Sequence, residues 1–75
     1  MKILNGEIVD KISDAFQSTF SWDGENILIN MFYEKEVPIV AAIIRKYVPK
    51  ADLTFDQIEE ITTDYYIWKI SIEER

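Results

Sequence analysis

The sequence predicts a single α+β domain over residues 1–75, in the order helix, strand, strand, helix, short helix, strand. Three observations carry that prediction. Leu4, Ile8, Ile12, Phe16 and Phe20 recur at every fourth position, the spacing of an amphipathic helix. Tyr66, Trp68, Ile70 and Ile72 recur at every second position, the spacing of a strand with one face in a core. Between these segments, Trp22-Asp23-Gly24-Glu25 sets Asp-Gly between two β-prone runs, the composition of a two-residue hairpin turn.

The first helix starts either at Lys2 or, as Gly6 favours, at Glu7, with Asn5 as its cap and Lys2–Leu4 as an extended lead. In the hairpin that follows, a two-residue loop at Asp23 and Gly24 pairs Trp22 with Glu25 and Phe20 with Ile27. That register puts Phe20, Trp22, Ile27, Ile29 and Met31 on the core face. The opposite face then carries Thr19, Ser21, Asn26 and Asn30, together with Leu28 and Phe32.

Val37-Pro38 opens the second helix, because proline in the first turn lacks only an N–H that had no intrahelical partner. Val37, Val40, Ala41, Ile43, Ile44, Tyr47 and Val48 form its apolar arc, widened by Ile39. Arg45 and Lys46 complement its carbonyl end, and Pro49 stops it. Thr54-Phe55-Asp56-Gln57 fits a capping box, with Leu53 and Ile58 placed as a hydrophobic staple, so a short helix is read from Phe55 to Ile61. A competing reading makes Ile58–Thr62 a strand in a second hairpin, giving the order α-β-β-α-β-β. Tyr65–Ile72 is the last strand, and Glu73-Glu74-Arg75 a solvated tail.

Composition bounds the function more firmly than any motif. The chain has 48% hydrophobic residues, a formal charge of −6, and neither cysteine nor histidine. This rules out disulfides, thiolate or imidazole metal sites, the usual haem ligands, a Cys nucleophile and a Ser-His-Asp triad. No uncharged run exceeds eight residues, against the ~20 of a membrane-spanning helix. Residues Met1–Asp14 lack the apolar stretch of a secretory signal, and the expected compartment is the cytoplasm.

Asp56 and Glu60 stand four apart, and Asp23-Gly24-Glu25-Asn26 offers oxygens beside a glycine, but neither matches a calcium loop. Two isolated glycines make no phosphate-binding turn, and the basic residues Arg45, Lys46 and Lys50 are outweighed by acid. The expectation is therefore a non-catalytic protein with no cofactor, metal, small-molecule substrate, membrane or direct nucleic-acid contact.

What composition leaves unexplained is apolar surplus on the second face of the strands. Leu28, Phe32, Tyr65 and Ile67, with Asn30 and Lys69 around them, are the expected partner interface, and a second copy of the chain is the simplest partner. The alternative to an interface is a three-layer sandwich in which the first helix covers that face. A different function follows from charge. Asp52, Asp56, Glu59, Glu60, Asp64, Glu73 and Glu74 form an acidic set that, as a nucleic-acid mimic, would occupy the basic groove of a DNA- or RNA-handling enzyme. Short acidic chains of this style are commonly phage, prophage or mobile-element products, an expectation resting on no particular residue.

Overall fold

The computed structural model describes residues 4–74, with only the backbone described at Glu74. Helix α1 spans Gly6–Phe16, strand β1 Ser21–Trp22, strand β2 Ile27–Tyr33, helix α2 Val37–Tyr47, strand β3 Ala51–Thr62 and strand β4 Tyr65–Glu74. A single 3₁₀ turn, Glu34–Glu36, joins β2 to α2. The four strands form one antiparallel sheet in the order β1-β2-β4-β3. The α+β class holds, and the order is the two-hairpin one, α-β-β-α-β-β.

Helix α1 begins where Asn5 caps it: Asn5 Oδ1 accepts the Ile8 N–H at 2.9 Å. The reading of an extended lead at Lys2–Leu4 lies largely outside the described residues, although Leu4 itself is buried. The helix ends at Gln17, whose φ of 58° lies in the left-handed region that glycine tolerates best. The Phe20 N–H then donates to Ser13 Oγ at 3.1 Å, fastening the chain to α1 as it enters the sheet. Helix α2 buries Val40, Ala41 and Ile44 and is followed by buried Val48, while Ile39 points to solvent.

The short helix expected at Phe55–Ile61 is absent, and those residues lie within β3. Two bulges explain the misleading pattern. The register with β4 skips Ile58 between Gln57 and Glu59, and Ile61 between Glu60 and Thr62. Each extra residue breaks strict alternation, so Phe55, Ile58 and Ile61 fall three apart, as on a helix, within a continuous strand. The expected solvated tail is likewise strand through Glu74, with Glu73 opposite Asp52.

The hairpin register also differs from expectation. Trp22 lies opposite Leu28, not Glu25, and the connection is wider than two residues. Asp23 organises it: its Oδ1 accepts the Glu25 N–H at 2.8 Å and the Ile27 N–H at 3.0 Å, and Gly24 takes φ 90°. A slip of three residues is odd, so every β2 side chain changes face. Leu28 and Phe32 point into the core, and Ile27, Ile29 and Met31 point away from it.

One core results. Leu4, Val9 and Ile12 from the α1 side meet Val40, Ile44 and Val48 from the α2 side over Leu28, Phe32, Trp68, Ile70 and Ile72 of the sheet. Phe32 stacks on Trp68 with ring centres 5.3 Å apart and planes 7° from parallel, and it meets Phe16 and Phe55 edge-on. Both helices pack on this face, so the molecule has two layers and the three-layer alternative does not arise.

Phe32→Ala is expected to cost about 3–5 kcal/mol, most of what so small a core supplies, and urea unfolding should find little folded protein. Gln17→Gly should raise stability by about 0.5–1 kcal/mol in the same assay, because glycine relieves the left-handed backbone cost.

Candidate functional site

The face of the sheet turned away from the helices is left open, and its centre is apolar. Antiparallel register arranges its side chains in rows across the strands. Tyr33 lies beside Tyr65 and then Thr62; Met31 beside Ile67 and then Glu59; Ser21 beside Ile29, Lys69 and Asp56; Ile27 beside Ser71 and Thr54. Ile29, Met31 and Tyr33 are 39%, 45% and 43% exposed, and Ile27, Tyr65 and Ile67 are half-buried. These six residues form one stripe along β2 and β4.

Of the interface residues expected from sequence, Tyr65, Ile67 and Lys69 belong to this face, but Leu28 and Phe32 do not. They are 0% and 1% exposed, on the opposite side. The physical reason is the odd register slip, and it means that substituting Phe32 tests folding, not association. Asn30 also faces inward, at the sheet margin, where its Nδ2 donates to Ser18 Oγ at 3.1 Å and its Oδ1 accepts the Met31 N–H at 2.8 Å. Ile27, Ile29, Met31 and Tyr33 take the places of Leu28 and Phe32. Their signal in the sequence was Asp23, whose carboxylate accepts two backbone N–H groups and so holds a loop wider than Asp-Gly alone.

Two hollows interrupt the rows. One, about 260 Å³, is lined by Thr19, Ser21, Ile29, Asn30, Met31 and Ile67, so hydroxyl and amide groups border apolar ones on the β1 side. The other, about 500 Å³ and wide open, lies at the tip of the β3–β4 hairpin among Tyr33, Glu34, Lys35, Thr63 and Asp64. There Tyr33 meets Tyr65 edge-on at 4.7 Å, and Lys35 Nζ stands 5.7 Å above the Tyr33 ring. Asp64, at φ 61°, gives its carbonyl to the Glu34 N–H at 2.8 Å and so ties the tip to the 3₁₀ turn.

The acidic set is dispersed over the structure. Asp52, Asp56 and Glu73 share the open face, with Asp52 opposite Glu73 and Asp56 opposite Lys69. Glu59 lies opposite Ile67, Glu60 opposite Tyr66 on the helix side, and Asp64 in the turn. Glu74 pairs with Ala51 through the backbone, and its side chain lies outside the described residues. Most of these carboxylates line β3, an edge strand, where charge deters the addition of a further strand. No ion pair joins Lys69 to Asp56; the close pair among the described residues is Glu7 with Lys11, at 3.3 Å on α1.

Two groups titrate away from their ordinary values. Loss of hydration, and then the carboxylates Glu60, Glu34 and Asp64, push the Tyr66 phenol up, so it stays neutral beyond pH 10.0. The backbone N–H groups of Ile27 and then Glu25 hold the Asp23 carboxyl below 3.8. Among the described residues no three acidic side chains gather as a metal site, and no helix is long and apolar enough to cross a membrane. Comparison with protein families, with curated proteins and with solved structures finds no match.

Because the folded-state pKa of Asp23 is depressed, its contribution is present above the unfolded value and fades as pH falls through the folded one. Asp23→Asn should therefore be less stable than wild type near neutrality. The gap between their urea midpoints should close in strong acid.

Proposed function

We propose that this chain is a non-catalytic contact protein that pairs with a second copy of itself through the open face of its sheet. The observation that carries this reading is the unbroken stripe of Tyr33, Tyr65, Met31, Ile67, Ile29 and Ile27, which the protein's own helices do not cover. Contiguous exposed apolar area beyond a few hundred Å² characteristically marks an interface. Three long strands spaced about 4.8 Å apart over a length of about 25 Å, with the two-residue β1 beside them, present roughly 400 Å² per copy. Two such faces bury about 800 Å², the size of a transient association, so the dimer is expected to be a weak one, in the micromolar range. As part of the same proposal, the protein works in the cytoplasm.

The nucleic-acid-mimic reading draws less support. A mimic presents an ordered double row of charge, whereas these carboxylates divide between the two faces and the hairpin tip. On β3 they have a sufficient role as guards of an edge.

Sedimentation equilibrium tests the proposal. Wild type should pass from monomer to dimer over micromolar concentrations. Met31→Asp should remain monomeric with an unchanged urea midpoint, since Met31 lies outside the core. A wild-type monomer throughout that range would overturn the reading.

A further inference from the structure

The order and chemistry of the strands also specify how two faces fit, an inference that rests on the dimer reading above. We propose that the copies dock about a two-fold axis running parallel to the strands, along the midline between β2 and β4. This places β2 of each copy over β4 of the other, and β1 over β3.

Three features of the face select this axis. The first is the strand order β1-β2-β4-β3, whose midline falls between the two strands that carry the apolar stripe. Rotation about it preserves rows, so Met31 meets Ile67 and Tyr33 meets Tyr65 of the second copy, and the whole length of the stripe is covered. The second is charge. One margin of the face, Thr19 and Ser21, is neutral and rich in hydroxyls; the other, Asp56 and Glu59, is anionic. The rotation keeps the two anionic margins apart and lays each over a neutral, hydroxyl-bearing one, with Ser21 in the same row as Asp56 of the second copy. A two-fold axis perpendicular to the strands through the Met31–Ile67 row would instead stack Glu59 on Glu59 and leave Ile27 uncovered. Like-charge juxtaposition of that kind opposes association. The third is shape. The 260 Å³ hollow bordered by Thr19 and Ser21 and by Ile29 and Met31 lies on the neutral margin, where it receives the second copy's Asp56 as hydrogen-bond acceptor. Asp56 makes no ion pair with Lys69 in its own sheet.

The chain contains no cysteine, so introduced thiols report geometry without background. Sheets packed face to face lie about 10 Å apart, beyond a direct disulfide, and a short bis-maleimide is the appropriate probe. Mixing Tyr33→Cys with Tyr65→Cys should give a cross-linked heteropair. Mixing Tyr65→Cys with Lys69→Cys should not, because four residues along a strand separate their rows by about 13 Å. Charge supplies an independent readout in sedimentation. Ser21→Lys should tighten the dimer about tenfold at low salt, since the symmetry creates two new ion pairs. Ser21→Asp should weaken it, and Asp56→Lys in the same chain should restore it.

A dimer that cross-links through Tyr65 and Lys69, or that ignores the Ser21 and Asp56 charges, overturns this axis while leaving the contact reading intact. Absence of a wild-type dimer removes both.

Discussion

The stacking of Phe32 on Trp68 is the contact on which the arrangement of this molecule depends. The indole N–H donates to the Phe32 carbonyl at 2.9 Å while the two rings lie nearly parallel, so side chain and backbone fix the same register. Once Phe32 is inward, alternation places Leu28 inward and Ile27, Ile29, Met31 and Tyr33 outward. Phe16, from α1, and Phe55, from β3, close on the same ring, so that one side chain joins three elements. With two helices and four strands, the fold has enough cover for one side of the sheet. The other side keeps whatever the register assigns to it.

The margins of the sheet discourage the addition of further strands. Along the part of β2 that β1 does not reach, the Met31 N–H is taken by Asn30 Oδ1 and the Tyr33 N–H by Glu36 Oε1 at 2.9 Å. A further strand would find those donors occupied. On the other margin, β3 carries Asp56, Glu59 and Glu60 together with two bulges, which kink the strand and charge it. Both devices oppose open-ended strand addition, and neither obstructs the flat stripe between them. A surface that is apolar in the middle and guarded at its edges suits a closed pair better than an extending array.

Much of the fold could be read directly. The cap at Asn5, the proline in the first turn of α2, the cations closing that helix and the alternation of β4 are local signals, each settled by residues within one or two turns of one another. The candidate surface was legible only in part. That a second face of the strands would stay apolar and open followed from counting, and Tyr65, Ile67 and Lys69 were placed on it through β4's own alternation. Leu28 and Phe32 lie on the other face because the face of β2 follows from a loop in which the Asp23 side chain replaces the short turn that Asp-Gly suggests. Strand β3 was misread because its bulges, acting only through pairing with β4, give an edge strand the spacing of a helix.

Taken alone, the amino-acid order determined the class of the domain, the start of its first helix, both ends of its second, the inward side of its last strand and the chemistries that need cysteine or histidine and so are closed to it. Those properties depend on spacing, capping and composition, which act over a few residues or over none. Tertiary structure decided which side of β2 is buried, that residues 51–62 extend instead of coiling, and hence which apolar side chains share the open face of the sheet. The face of β2 turns on pairing between segments some 40 residues apart, Leu28 with Ile70 and Phe32 with Tyr66, and the extension of residues 51–62 on pairing with β4 across a hairpin. A shift by an odd number of residues exchanges core for surface without altering any local preference.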